Sequence, residues 1–541
     1  MEHRWSKALT DSCVGVLALA VVALWTWLEV GSVLPQPALE DAAMLFRYAD
    51  NFAAGGGIAW NNGEDPGATD GATDLGFVLA LAPFILLGMS ATFAAWTLNC
   101  VAVFGLGFLI SRIGRDYLRL TPTYIWLFVA LVMSTFINRF VTSGFSPPIF
   151  SLILTMVIVV AFSVVAKGLG NRWNWFALGL MAGVVGWWRP EGFAIGPILA
   201  IFAILISADW RELKSTPMIR TIGFSVVGLL IPIIAWIVFR ILYFGHLLPS
   251  SAVMKSGSLT RVNALETLQF LVLTLLPVIA AVVVVGLAKR NRLLIFLIAI
   301  IASSLLWIPV TLHLNWWNRM QWPLVIPLGL LAIASVSARH TSSPNSPRTA
   351  PRPNVNVVSA ILLAALGIAT LRTFTVSEPP YTSYQPHTGI SQALEKVDTS
   401  QVRLATSEAG LVPLSINGPA LDTYGFNNYA IASTKGGELS AELDRLKPNV
   451  IIVNGKAPEE VVENYQDASC VNRDLTSYSG EQWVEMTEVL VQYAGANDME
   501  LIRSTETGAC NVFSIFVSQE ISAEVVDALR AVTPGSVEIL Q

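Results

Sequence analysis

The chain has 541 residues, of which 54% are hydrophobic and 13% charged, with 17 Trp and a mean hydropathy of +0.59. Soluble domains carry roughly 25% charged residues, so an ordinary water-soluble protein is excluded and most of the chain belongs in lipid. The net charge of −5 hides a split: residues 374–541 hold 23 acidic and 9 basic side chains, whereas 1–373 hold 24 basic and 15 acidic, which points to two solvents and at least two domains.

In chain order, apolar runs long enough for a span of about 20 residues fall at 13–33, 91–111, 122–138, 148–167, 173–188, 191–208, 221–243, 267–288, 293–312, 319–338 and 355–373. A further apolar stretch, Leu75 to Leu87, is too short to span and fits a re-entrant or interfacial helix. With that stretch not crossing, basic residues recur on every second loop. They are Arg4 and Lys7; Arg112, Arg115 and Arg119; Lys167 and Arg172; Arg211, Lys214 and Arg220; Lys289, Arg290 and Arg292; and Arg339, Arg348 and Arg352. The positive-inside rule places these loops in the cytoplasm. The expected architecture is a polytopic α-helical membrane protein of about eleven transmembrane helices in the plasma (inner) membrane, with a cytoplasmic amino terminus and an external carboxyl terminus. No small-residue cleavage pattern follows the first run before Pro35, so that run reads as a span and not as a removable signal.

The Ser-, Pro- and Arg-containing stretch His340–Asn354 reads as a flexible linker. Beyond Thr373, β-rich runs (Val402–Thr406, Asn449–Val453, Asn511–Val517) alternate with amphipathic helical stretches (Glu481–Tyr493, Ser522–Val532), the pattern of a compact α/β domain. The expected domains are therefore 1–373 in the membrane, with a first outer loop at 34–90, and 374–541 as an extracytoplasmic soluble α/β domain. Cys470 and Cys510 both fall in the latter, where an oxidising compartment permits a disulfide.

In so apolar a chain the polar residues of the outer loops need a reason. Glu40 and Asp41 open an amphipathic helix in the first of these loops. Acids at a helix start complement its dipole. Beside that structural role stands a functional one, since a carboxylate close to a span end is placed to act as a general base for a hydroxyl. Arg47 follows on the same helix, and the loop continues through Trp60, Asn61 and Glu64 to Asp70-Gly71. Its glycines, Gly55 to Gly57, lack the Lys-Ser/Thr and the preceding strand of a nucleotide loop and serve as turns.

Later outer loops add Asn138-Arg139, Arg189-Pro190-Glu191-Gly192, Tyr243 to Lys255 with His246, and His313 to Pro323 with Arg319. Arg189, Lys255 and Arg319 are cations on the non-cytoplasmic side, against the usual bias, where they suit an anion such as a lipid phosphate. The competing role for them is interfacial anchoring beside Trp. His246 and His313 are candidate metal ligands as well as hydrogen-bonding groups. The pattern requires no cofactor and leaves a divalent metal open.

These motifs resemble the GT-C superfamily of membrane glycosyltransferases, which use polyprenyl-phosphate sugars. The likeness rests on Glu40-Asp41-Ala42 with Phe46-Arg47-Tyr48-Ala49, Gly57 to Glu64, Asp70-Gly71, Arg189 to Gly192, and Tyr243 to Pro249 with Lys255. Arg319 ahead of Pro323, and Thr406 to Pro413 with Leu421 to Asn427, extend it. Within the superfamily the chain resembles the actinobacterial terminal arabinofuranosyltransferase branch, and it departs from the usual pattern where Glu40 replaces a first Asp and Ser146 an acid. The resemblance implies a GT-C-like fold and inverting transfer, on the outer face, of a sugar such as arabinofuranose. The sugar would pass from a polyprenyl-phosphate donor to a cell-envelope glycan or lipid. Asp41 or Glu40 would be the base, and Arg189, Lys255 and Arg319 would hold the phosphate. Arg47, Trp60, Asn61, Asp70, Glu191, His246 and His313 would line the substrates. The partners implied are the donor, the acceptor and the bilayer, with no nucleic acid.

Two other readings stay open. A transporter or flippase of a lipid-linked sugar also suits eleven spans, but it predicts charged or broken helices at the midplane, and the runs here are nearly free of ionisable groups in their interiors. Under a non-catalytic envelope scaffold, loss of the acids would leave function unchanged. Adjacent helical residues point about 100° apart, so only geometry separates Asp41 from Glu40 as the base.

Overall fold

The structure is a computed structural model that describes residues 2–61, 68–118, 120–134, 137–167, 170–207, 216–255, 319–337, 385–456, 478–506 and 511–532. The first helices are α1 (Glu2–Val30), α2 (Glu40–Ala53), α3 (Leu75–Leu86), α4 (Ala91–Asp116), α5 (Pro122–Met133), α6 (Ile137–Ser143) and α7 (Pro147–Ala166). Next come α8 (Arg172–Trp188), α9 (Gly192–Ser207), α10 (Thr216–Phe244), α11 (Ser250–Lys255), a 3-10 turn at Trp322–Leu324 and α12 (Val325–Ser337). Then follow α13 (Gln385–Leu394), β1 (Leu404–Thr406), α14 (Leu411–Leu414), β2 (Ala420–Asp422), α15 (Tyr429–Thr434) and α16 (Leu439–Leu446). The chain continues with β3 (Val450–Lys456), α17 (Tyr478–Ala496), β4 (Glu500–Glu506), β5 (Asn511–Val517) and α18 (Ala523–Ala531).

Among the described residues, α1, α4, α7 and α10 are long and apolar enough to cross a membrane, and α5 with α6 makes a fifth candidate, bent by 54°. α8, α9 and α12 cover further expected runs with shorter apolar helices. The runs at 267–288, 293–312 and 355–373, and the linker 340–354, lie outside the described residues. At 12 residues α3 is shorter than a span requires.

The chain divides into two compact units: Met1–Pro35, Ala95–Phe239 and Ser258–Ser377 form one, and Gln36–Ala94, Arg240–Gly257 and Glu378–Gln541 the other. In the first unit α7 is the interior helix, packed against α8, α9 and α12. It opens on Pro147-Pro148, which suits a first turn whose N–H groups have no helical partner, and its apolar residues are buried on most sides. α8 and α10 approach closely through glycine: a side chain on Gly179 would run into the carbonyl of Ser225, and one on Gly228 into that of Phe176. Membrane helices associate through small residues in this way because lipid supplies no hydrophobic force between them.

The second unit holds a five-stranded sheet in the order β2-β1-β3-β5-β4. β1 runs parallel to β2 and β3, with Leu404 opposite Ala420 and Val450, while β5 is antiparallel to β3 and β4. Val450 to Val453 are buried without alternation, as expected of a strand covered on both faces. The core joins Ala405, Leu421, Ile451 and Phe516 to Ile431, Leu443 and Leu490 from the helices. The runs read as strands became β1, β3 and β5, and the two amphipathic stretches became α17 and α18. β2 and β4 were not foreseen. β2 is three residues long, and β4, Glu-Leu-Ile-Arg-Ser-Thr-Glu, is an edge strand whose charges suit an unpaired side.

Candidate active site

In the second unit, the two acids of the first loop have different surroundings. Glu40 is buried, and its carboxylate oxygens accept N–H bonds from Gly410 (2.5 Å) and Leu411 (3.0 Å). A side chain on residue 410 would run into the main chain of Glu40, so glycine is what permits this approach. His387 Nε2 lies 3.4 Å from Glu408 Oε1, with both residues buried. Burial first, and then the charge of Glu408, push the Glu40 carboxyl up to about 7, against the opposing pull of His387 and the two N–H groups. Burial would lower the pKa of His387, but Glu408 and then Glu40 outweigh it and hold the imidazole above its ordinary value. Asp41 is half-buried, which leaves it as the more accessible of the two acids.

Arg47, Trp60 and Asn61 knit the first loop to residues 409–420. Arg47 donates to the carbonyls of Trp60 (2.6 Å), Pro413, Ile416 (3.2 Å) and Gly418 (3.2 Å) and to Asn61 Oδ1 (3.2 Å), and it lies 5.3 Å from the Trp60 ring centroid. Burial lowers this guanidinium to about 10. Trp60 Nε1 donates to Ala409 O (3.2 Å). The Asn61 amide accepts from Ala420 N (3.0 Å) and donates to Ala420 O (2.8 Å), pairing with the first residue of β2 as a strand would. These bonds make the three residues framework for the loop.

Asp70 is buried in an ion pair with Arg240 and lies 3.2 Å from His246 Nδ1. Its carbonyl accepts from Ser250 N (2.7 Å), and that of Gly71 from Ser251 Oγ (2.7 Å). Tyr48 donates to Asn427 Oδ1 (2.9 Å) and accepts from Gly71 N (2.8 Å). The His246 ring stacks on Tyr429 with centroids 3.8 Å apart, and burial lowers its pKa. Lys255 ends α11, and its side chain lies outside the described set, as do His313, Glu64, Cys470 and Cys510.

In the first unit, Arg189 Nε is 2.6 Å from Glu191 Oε1, and its guanidinium contacts Met320 Sδ (2.9 Å) and lies 5.5 Å from the Phe150 ring centroid. Arg319 lies 4.6 Å from the centroid of Phe145. Two of the cations singled out in the sequence are thus buried neighbours around the start of α7. In the same unit Arg139 Nε pairs with Glu29 Oε1 (2.5 Å), and Asn138 Nδ2 donates to Glu29 Oε2 (2.6 Å). Glu29, Arg240, His387 and Glu408 were not singled out as site residues from sequence. For Glu29 and Arg240 a signal existed, an ionisable residue inside an apolar run; His387 offered none. Among the described residues no group of three or more His, Cys, Asp or Glu could hold a metal ion.

No protein-family model and no curated protein matches the chain. Its fold is like that of ArnT. The crystal structure of ArnT from Cupriavidus metallidurans bound to undecaprenyl phosphate matches with a TM-score of 0.51 and 12% identity, covering 93% of this chain and 98% of that chain. ArnT in the apo state matches with a TM-score of 0.50 and 12% identity, covering 92% and 97%. At this identity the likeness to ArnT establishes a fold. It does not reach the arabinofuranosyltransferase branch.

Proposed function

We propose that this protein is a GT-C-type membrane glycosyltransferase that moves a sugar from a polyprenyl-phosphate donor to an acceptor hydroxyl, with inversion, on the outer face of the membrane. The observation that carries the proposal is a half-buried Asp41 at the start of α2 in a chain that shares, nearly end to end, the fold of a protein crystallised with undecaprenyl phosphate. The Asp41 carboxylate takes the acceptor's proton as the acceptor oxygen bonds to the anomeric carbon. The bond from that carbon to the phosphate oxygen breaks, and its electron pair leaves with the polyprenyl phosphate. Charge grows on the phosphate in the transition state, where cations contribute most. Arg189, Arg319 and Lys255 are assigned that task, Arg189 being oriented by Glu191. Glu40 is not the base in this reading, because both of its oxygens accept backbone N–H groups.

The experiment is sugar transfer by the purified protein across a panel of polyprenyl-phosphate sugars, with arabinofuranose first and a cell-envelope glycan or lipid as acceptor. The wild type is expected to turn over one donor. Asp41→Asn is expected to lose about 100-fold or more while melting near the wild-type temperature. Movement of a lipid-linked sugar across vesicles, unchanged in Asp41→Asn and without transfer, would overturn the proposal in favour of a transporter.

A further inference from the structure

Glu40 is next to Asp41, and among the described residues the groups that bond to its carboxylate or face it electrostatically come from residues 385–414. The N–H groups of Gly410 and Leu411 bind its two oxygens, Gly410 leaves room for its main chain, and His387 and Glu408 form a buried pair within electrostatic reach. α3 also packs on α2 but carries no ionisable residue, and Asp74 precedes it. On α2 itself the nearest cation, Arg47, is committed to carbonyl and amide oxygens. Among the described residues, the proton-binding groups that reach Glu40 are therefore Glu408 and His387.

We propose that His387 and Glu408, acting through Glu40, are positioning residues that dock the first turn of α2 and so place Asp41, and that loss of a proton from this buried trio loosens the docking. The proposal rests on Asp41 being the base. Its direction follows from linkage: a group that binds its proton more tightly in the docked state than in water favours docking at low pH. The Glu40 carboxyl is raised to about 7, so docking is fully supported below its ordinary value of 4.5 and weakens as pH rises through about 7. His387, also raised, acts in the same direction.

The test compares pH profiles of kcat and KM for the full-length protein and three variants, with hydrogen–deuterium exchange of the segments 40–53 and 406–414 read alongside. In the wild type, kcat and amide protection should fall together as pH rises through about 7, with KM for the donor nearly constant. Glu408→Gln removes a like charge and should move the fall to lower pH. His387→Asn removes a counter-charge and should move it to higher pH. Glu40→Gln cannot titrate and keeps one acceptor oxygen, while its amide nitrogen cannot accept the second N–H, so it should lose the fall altogether and retain transfer reduced by about three- to tenfold. Profiles that do not move, or that move the same way in Glu408→Gln and His387→Asn, would overturn the proposal. Inactivity of Glu40→Gln with unchanged protection would make Glu40 a reacting group and also overturn it. Asp41→Asn as active as wild type would instead defeat the base assignment, and the exchange data would then report the docking by themselves.

Discussion

Arg47 and Asp70 show what a charged residue in an apolar chain does when its partners are far away in sequence. Arg47 supplies donors to four carbonyls and the Asn61 amide, so its loss leaves several buried acceptors unpaired. Arg47→Ala is expected to destabilise the protein by about 3 kcal/mol or more, read as a lower Tm of the full-length protein in detergent. Arg47→Lys should not restore it, because one ammonium cannot span the same fork of acceptors. Asp70 was legible as an important acid, yet its pairing with Arg240, His246 and the Ser250-Ser251 segment joins stretches about 170 residues apart, and no local pattern encodes that. The same holds for Glu40 and Asp41. Adjacent acids look alike in sequence, and the arrival of Gly410 and Leu411 N–H groups at the Glu40 carboxylate is a tertiary event that no local pattern announces.

At the scale of elements, legibility followed periodicity and length. The apolar runs at 13–33, 91–111, 148–167 and 221–243 became α1, α4, α7 and α10, because twenty apolar residues in succession have few alternatives to a helix. The 122–138 run became α5 and α6 with a bend between them, which hydropathy does not report. Three-residue β2 is held by pairing with β1 and by the Asn61 amide, a tertiary cause without a local signal. The glycine-mediated approach of α8 to α10 gives a prediction at this scale. Gly179→Leu should push α10 away at Ser225 and cost about 1–3 kcal/mol, lowering Tm, whereas the same change at Gly223, where the space is open, should be nearly silent.

For the whole molecule, pH is the most direct probe of the second unit. Burial raises Glu40 to about 7 and Asp50 and Asp422 to about 6. Each binds its proton more tightly folded than unfolded, so each contributes stability that is complete below its ordinary value near 4 and is lost as pH rises through 6 to 7. Tm should therefore fall across that interval, and Asp422→Asn should flatten the fall if the loop bonds from Tyr424, Gly425 and Asn427 to Asp422 survive in the amide. A Tm that rises over the same interval would show that other groups dominate. The sequence by itself determined the lipid-compatible, helical character of the front, the charge asymmetry and the α/β alternation of the back, since solvent preference and periodicity are properties of local composition. Tertiary structure alone decided that the first loop and residues 240–257 belong to one compact unit with the C-terminal segment. It also decided that one of two neighbouring acids is bound by backbone N–H groups, and that Arg189 and Arg319 are buried together. Those outcomes depend on which distant backbone groups meet, and burial among them changes both the strength of a hydrogen bond and the proton affinity of a carboxylate.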